Sequence, residues 1–337
     1  MYIANATGCS SIWGNSSPST PYTVTPEGKG PAWSNSLFED NAEFGLGFRV
    51  SLDKQMEHAI ELLHEAAGIV GQELVDQILT NPQKDEADIA QQRENVAELK
   101  KRITGKPECA RLLTMADKLV RKSVWILGGD GWAYDIGFGG VDHALASGEN
   151  INILVFDTEV YSNTGGQASK ASNIGQVAQF AAAGKEVKKK SLAEIAMQYG
   201  YVYVAQVAMG ANPAQTIKAI TEAEAYHGPS LIIGYSPCEM HSIKGGMMNC
   251  QKEMKRAVDC GYWNLFRFNP AAPVGQRFSM DSKAPAGGYQ EFLMNEARYS
   301  RLTREFPERA NELFERNEES AKARYEHLLK LVEMYKD

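Results

Sequence analysis

Short apolar runs alternate with helical patterns between residues 123 and 235, and this alternation constrains the fold more than any other feature. Buried strands are predicted at 123–127, 151–156, 201–206 and 230–235, and helices at 192–199 and 213–226. Asn212-Pro213 supplies a helix start, with proline at the first helical position. The alternation predicts an α/β fold in which a parallel sheet is flanked by helices and binds ligands at the carboxyl ends of its strands.

Helical patterns also flank this core on both sides. Apolar side chains recur at helical spacing before Asn81-Pro82, at Met56, Ile60, Leu63, Val70, Leu74 and Ile78. A highly charged helix is predicted over about 84–103, and another over about 307–335. We therefore divide the chain into an N-terminal segment with a helical region at 1–107, an α/β core at 108–240 and a C-terminal helical extension at 241–337.

The composition is that of an ordinary globular protein, with 43% hydrophobic and 23% charged residues. A net charge of −7 argues against nucleic acid and an anionic membrane as partners. No apolar stretch reaches the roughly 20 residues of a membrane helix, and residues 1–19 lack a secretory signal pattern. We therefore expect a cytoplasmic protein. Its five cysteines, an odd number, do not suggest a disulfide scaffold, and we expect reduced thiols packed as small hydrophobic residues.

Two of the predicted strands end in polar turns that contain candidate metal ligands. The first strand leads into Gly129-Asp130-Gly131, and the next leads into residues 157–163. The carboxylate of Asp130, the hydroxyl of Thr158 and the main-chain oxygen of Val160 are ligands of the kind that Mg²⁺ prefers. A helix expected near Ala133 would direct its positive end at phosphate oxygens. The two turns therefore predict a site for a magnesium-bound diphosphate.

Several further motifs have both a structural and a functional interpretation. A lone Gly-Asp-Gly is more often only a tight turn, and it is the second polar turn that favours a functional site. Residues 163–167 predict a polar loop that enters a helix and suits phosphate or a small carboxylate. The sequence around Gly128 does not form the G-x-G-x-x-G of a nicotinamide site. We interpret the basic run at 184–190 as the solvated entrance of a helix, with docking of an acidic electron carrier as the alternative.

These motifs resemble the C-terminal thiamine-diphosphate-binding domain of pyruvate:ferredoxin (flavodoxin) oxidoreductases. The resemblance covers nearly the whole chain and is carried by residues 3–14, 30–40, 128–140, 157–167, 235–238 and 290–294. It implies a thiamine-diphosphate-binding, Rossmann-like sheet at 108–240, with Mg²⁺ held by Asp130, Thr158 and the main-chain oxygen of Val160. The residues that it implies around the cofactor are Gly129, Asp130, Gly131, Trp132, Thr158, Glu159, Val160, Tyr161, Ser162 and Asn163. Asn163 is the candidate catalytic residue that would touch a bound 2-oxo acid.

The resemblance further implies that Cys9 and Cys238 are two of the four thiolates of a 4Fe–4S cluster next to the cofactor. The family places the other two in a C-x-x-C pair shortly before the region where this chain starts. No C-x-x-C pair occurs in this sequence. We therefore expect the cluster site to be incomplete in this chain.

By the same resemblance, the whole enzymes convert pyruvate and coenzyme A to acetyl-coenzyme A and CO₂. Their electrons pass through 4Fe–4S clusters to ferredoxin or flavodoxin. We expect this chain to be truncated, to lack upstream domains, to be inactive alone and to form a homodimer. One alternative is the thiamine-binding subunit of a split 2-oxo acid:ferredoxin oxidoreductase, and another is a non-catalytic folded remnant.

Overall fold

The computed structural model describes residues 1–8, 10–11, 24, 26, 28, 30 and 32–336. The chain contains two compact units: Met1–Tyr2 with Leu46–Val124, and Ile3–Gly45 with Trp125–Asp337. The sequence-based boundaries at 107/108 and 240/241 stay a prediction, because they separate segments by expected function and not by compactness.

The strands of the described residues form one eight-stranded sheet in the order β2-β1-β3-β4-β6-β5-β7-β8. Their bounds are β1 Tyr2–Ala6, β2 Ala32–Ser36, β3 Val124–Gly129, β4 Asn152–Asp157, β5 Tyr203–Val207, β6 Ser230–Tyr235, β7 Phe266–Phe268 and β8 Phe278–Met280. β3, β4, β6 and β5 pair in parallel, and β7 and β8 continue the sheet antiparallel. The predicted α/β class is confirmed. Sequence patterning missed β7 and β8, because strands of three residues are too short to show a period.

The α-helices of the described residues are α1 Asn41–Glu65, α2 Ala67–Val70, α3 Gln72–Thr80, α4 Glu86–Ile103, α5 Ala110–Met115, α6 Phe138–Ala146, α7 Leu192–Met197, α8 Pro213–Ala225, α9 Cys250–Asp259, α10 Tyr289–Met294, α11 Ala297–Glu305 and α12 Pro307–Met334. α3 ends directly before Asn81-Pro82, as the pattern predicted. Asn212 caps α8 by accepting a hydrogen bond from the main-chain N–H of Gln215.

Each compact unit has its own apolar core. In the first unit, α1 to α5 bury side chains such as Leu63, Leu99 and Leu112 against one another. In the second unit, alternate residues of β5, including Tyr203 and Ala205, share a buried cluster with apolar residues of α8. This alternation is what a strand with a helix packed on one face requires.

Parallel register places several strand ends at one edge of the sheet. Gly129 of β3 lies opposite Phe156 of β4, and Asp157 of β4 lies opposite Tyr235 of β6. The residues that follow β3 and β4 are therefore neighbours in space, although they are far apart in the chain.

The segment after β3 forms a π-helical turn, Gly131–Ile136, before α6 begins. In this turn the N–H of Gly137 donates to the carbonyl of Trp132 at 2.9 Å. Such turns are rare and occur mostly at functional sites. The sequence predicted an ordinary helix near Ala133.

The segment after residue 163 differs more strongly from its prediction. Residues 163–167 do not enter a helix, so that prediction is wrong. Gly165 and Gly166 have φ angles of +124° and +80°, and the chain folds back so that Gln167 bridges to Tyr161.

The structure also bears on the expectations about membrane helices and about the cysteines. In the described part of the chain, no helix combines the length and the apolar character needed to cross a membrane. Cys109 and Cys260 are buried, as expected for thiols that pack as small hydrophobic residues.

Candidate functional site

Three oxygen atoms meet where β3 and β4 end. Thr158 Oγ1 lies 2.8 Å from Asp130 Oδ1 and 2.9 Å from the main-chain oxygen of Val160. A hydroxyl has one proton and can donate to only one of these oxygens at a time. The other contact therefore needs a further proton or a cation. The structure thus brings together the three side-chain and main-chain oxygens that the sequence analysis named as metal ligands.

These oxygens fit a magnesium ion in both chemistry and spacing. A carboxylate, a hydroxyl and a carbonyl are hard oxygen ligands. Mg²⁺ binds oxygens at about 2.0–2.1 Å in an octahedron, so adjacent ligand oxygens lie about 2.9 Å apart. Ca²⁺ binds six to eight oxygens in a more flexible geometry, in which neighbouring oxygens can be equally close. The two observed distances therefore fit an octahedral Mg²⁺, and they also equal ordinary O–H···O hydrogen bonds.

Asp130 is held on both carboxylate oxygens. Its Oδ1 also accepts from the main-chain N–H of Thr158 at 3.2 Å, and its Oδ2 accepts from Ser169 Oγ at 2.6 Å. Burial, together with the neighbouring Asp157, raises the pKa of Asp130 to about 7. A cation beside this carboxylate would favour its ionised form. Sequence reasoning missed Ser169, because no spacing rule links it to Asp130.

A small cavity lies beside this meeting point and is lined by Asp130 and Val160 but not by Thr158. Its volume is about 40 Å³, which suits an ion with a water ligand and is too small for a whole thiamine diphosphate. Most of the predicted cofactor-binding residues line it, namely Gly129, Asp130, Gly131, Trp132, Val160, Tyr161 and Asn163. Asn163 is exposed at this cavity. A Cβ atom at Gly131 would lie 2.4 Å from the Tyr161 ring, so only glycine allows this close approach.

The remaining predicted site residues lie in other surroundings. The half-buried Ser162 donates its main-chain N–H to the carbonyl of Val160 at 2.8 Å. Glu159 is 1% exposed, and its carboxylate pairs with Lys189 and Arg298 instead of lining the cavity.

The expected pair of cluster thiolates is only partly described. Cys9 lies outside the described residues. Cys238 is half-buried just beyond β6, with its Sγ 3.4 Å from Nδ1 of His241. His241 is fully buried, and its Nδ1 accepts the main-chain N–H of Cys238 at 3.1 Å. Burial, aided by Arg298, keeps the pKa of His241 well below its ordinary value.

Lys189 corrects the interpretation of the basic run. Its side chain is only 13% exposed, and its Nζ lies 2.7 Å from Asp157 and 2.9 Å from Glu159. Burial opposes the charge of Lys189, but the two carboxylates raise its pKa above the ordinary value. The prediction of a solvated run is therefore wrong for this lysine, although the adjacent Lys188 is exposed.

Arg298 completes a buried network of charges next to the candidate metal ligands. It lies 2.8 Å from Glu159 and 2.6 Å from Glu296. Burial works to raise the pKa of Glu159, but Lys189 and Arg298 together lower it below the ordinary value. Burial raises the pKa of Glu296 to about 7. No local motif marked Arg298 in the sequence, because its partner Glu159 comes from a distant segment.

A comparison with protein families assigns the α/β core of this chain to a class of thiamine pyrophosphate-binding domains. Residues 111–233 match the family of thiamine pyrophosphate enzymes, C-terminal TPP binding domain.

Comparison with curated proteins narrows this class. The chain is 54% identical over 334 residues to pyruvate-flavodoxin oxidoreductase of Trichormus variabilis, covering 97% of this chain and 28% of that protein. It is 51% identical over 348 residues to pyruvate:ferredoxin oxidoreductase of Moorella thermoacetica, covering 99% of this chain and 29% of that protein. The chain is thus similar over nearly its whole length to pyruvate-flavodoxin and pyruvate:ferredoxin oxidoreductases, and it spans less than a third of the length of these relatives.

Among solved structures, 2-oxoglutarate:ferredoxin oxidoreductase from Magnetococcus marinus aligns with a TM-score of 0.41 and 18% identity. The alignment covers 70% of this chain and 54% of that one.

Proposed function

We propose that this chain anchors thiamine diphosphate through Mg²⁺ in an enzyme that oxidises pyruvate or a similar 2-oxo acid. The observation that carries the proposal is the meeting of Asp130 Oδ1, Thr158 Oγ1 and the Val160 carbonyl at the ends of β3 and β4. Ends of parallel strands are the usual ligand position of such sheets. These three oxygens would hold the metal, and diphosphate and water would complete its six ligands.

Each neighbouring side chain has a defined task in this proposal. Thiamine diphosphate, when bound, would supply a thiazolium group for chemistry on 2-oxo acids. Ser169 keeps the carboxylate of Asp130 oriented through its 2.6 Å hydrogen bond. The buried indole of Trp132 forms a dry wall of the cavity. The exposed Asn163, at the same cavity, would contact the substrate.

We further propose that Cys238 contributes a thiolate to a 4Fe–4S cluster, with Cys9 as the second ligand from this chain. Two observations support the part played by Cys238. It follows β6, which is the direct neighbour of β4 in the sheet. Thiolates are the usual ligands of such clusters, and an acceptor near the cofactor suits electron transfer.

The partners and location of the protein belong to the same proposal. The relatives are named for pyruvate and for flavodoxin or ferredoxin as electron acceptors. We propose these partners for the enzyme that contains this chain, with coenzyme A as the acyl acceptor, a second copy of the chain in a homodimer, and a cytoplasmic location. The net charge of −7 gives no support to nucleic acid as a further partner.

Titration calorimetry with thiamine diphosphate and Mg²⁺ tests the central proposal. The wild-type chain should bind the cofactor only in the presence of the metal, and Asp130→Ala should abolish this binding. Asp76→Ala, which changes an exposed aspartate of α3, is the matched control and should bind normally. Equal affinity in the wild-type and Asp130→Ala chains would refute the metal site. Failure of the wild-type chain to bind would support the non-catalytic remnant.

A further inference from the structure

The metal-binding loop contains one residue in an unfavourable backbone conformation. Glu159 lies between Thr158 and Val160 and has a φ of +60°, in the left-handed region that residues other than glycine rarely adopt. This turn allows Thr158 Oγ1 to approach the Val160 carbonyl to 2.9 Å. Because the conformation costs free energy, the surroundings of Glu159 must hold it in place.

Contacts to the main-chain carbonyl and to the carboxylate of Glu159 stabilise this conformation. Its main-chain carbonyl accepts hydrogen bonds from Ser172 Oγ and from Gln176 Nε2. Its carboxylate is bound by Lys189, by Arg298 and by the hydroxyl of Tyr262. All of these partners lie outside the turn at residues 157–163, so the surrounding structure, and not the turn itself, stabilises the conformation of Glu159.

Lys189 is distinct among these partners because it binds both neighbours of Thr158. Its Nζ lies 2.7 Å from Asp157 Oδ2 and 2.9 Å from Glu159 Oε1. The Asp157 carboxylate also accepts the main-chain N–H of Glu159 at 3.2 Å and the hydroxyl of Tyr134 at 2.7 Å. A single ammonium group thus ties together the residues before and after a metal ligand. An ammonium has only donors, so it acts on a cation through these carboxylates and not as a ligand.

We propose that Lys189 is a positioning residue that fixes the spacing of the Thr158 and Val160 oxygens and thereby makes the site selective for Mg²⁺ over Ca²⁺. This inference rests on the proposed function, in which these oxygens hold the metal of thiamine diphosphate. Mg²⁺ demands a near-ideal octahedron of oxygens, whereas Ca²⁺ accepts six to eight ligands in a flexible geometry. A loop tied on both sides of Thr158 keeps its oxygens in one arrangement, and a released loop can adopt several.

The test compares the affinities of the chain for Mg²⁺ and Ca²⁺ by calorimetry at a saturating concentration of thiamine diphosphate. Lys189→Met keeps much of the side-chain length and removes the charge. It should weaken Mg²⁺ binding by about tenfold or more, as loss of supporting contacts around a metal site typically does. Ca²⁺ binding should change much less, so that the preference for Mg²⁺ falls. Lys188→Met, which alters the exposed neighbour, should leave both affinities unchanged.

Different outcomes separate this role from simpler ones. If Lys189 only balanced charge, its removal would favour the binding of both cations equally. An unchanged ratio of the Mg²⁺ affinity to the Ca²⁺ affinity would therefore overturn the proposal. Glu159→Gln provides a second route if Lys189→Met does not fold, since it releases the same loop and should lower the same ratio. Absence of cofactor binding with either cation in the wild-type chain would instead refute the proposed function, and this inference with it.

Discussion

Thr158 Oγ1 lies 2.8 Å from Asp130 Oδ1, although 28 residues separate the two in the chain. The parallel pairing of β3 with β4 brings them together, because each residue follows directly after its strand. A hydroxyl between a carboxylate and a carbonyl can satisfy only one of them with its proton. A proton on Asp130 or a cation at this point of the sheet would satisfy the other contact.

Replacing Thr158 tests this relationship most directly. Thr158→Val keeps the branched shape and removes the hydroxyl. We expect the affinity for thiamine diphosphate with Mg²⁺ to fall by about tenfold or more, because one metal ligand is lost. Thr158→Ser retains the hydroxyl and should bind within a few-fold of the wild-type chain. Calorimetry at fixed Mg²⁺ measures the three affinities. Equal binding by the Val and Ser variants would show that the hydroxyl is not a ligand.

The pH dependence of stability offers a test without cofactor. The pKa of Asp130 is raised to about 7 in the folded chain, above its ordinary value of 3.8. Between these two pH values the folded state holds the proton more tightly than the unfolded state does. The contribution of Asp130 to the free energy of unfolding therefore falls as pH rises through this window, and it reaches its most unfavourable value above pH 7.

Asp130→Asn cannot titrate, so a comparison with it isolates this effect. In metal-free buffer, the stability of the Asn variant relative to the wild-type chain should increase from pH 5 to pH 8 by about 1 kcal/mol or more. Urea unfolding of both proteins at the two pH values measures the difference. A difference that does not change with pH would contradict the raised pKa.

Local patterns were enough to predict the strand ends that carry Asp130 and Thr158, because apolar runs and glycine-rich turns are visible in the sequence. These patterns did not predict the burial of Lys189. Its partner Glu159 lies 30 residues away in the sequence and approaches it only in the folded chain. A run of basic residues alone predicts exposed side chains, because their charged ends usually stay in water. The loop at 163–167 was mistaken for a helix entrance, although two adjacent glycines with positive φ turn the chain back.

The buried charge network behind the loop should contribute strongly to stability. Arg298 pairs with Glu159 and Glu296, and all three are 3% exposed or less. Arg298→Met leaves two buried carboxylates without this partner and should lower the free energy of unfolding by about 3–5 kcal/mol. Arg301→Met is the control, because Arg301 pairs with Glu305 at 3.9 Å on the surface and such pairs contribute at most about 1 kcal/mol. Urea unfolding measures both variants, and similar losses would argue against a special role for Arg298.

The close contact between Gly131 and Tyr161 links the two turns mechanically. A Cβ atom at Gly131 would lie 2.4 Å from the Tyr161 ring, so Gly131→Ala forces the ring and its loop to shift. We expect a loss of about 1–3 kcal/mol in the free energy of unfolding, as for other overpacked sites, together with weaker binding of thiamine diphosphate. Gly139→Ala is the matched control in α6, where a Cβ atom meets nothing within 4 Å, and it should stabilise the helix by about 0.5–1 kcal/mol. Urea unfolding and calorimetry measure both effects. If Gly131→Ala behaves like Gly139→Ala, the conformation of the two turns does not depend on this contact.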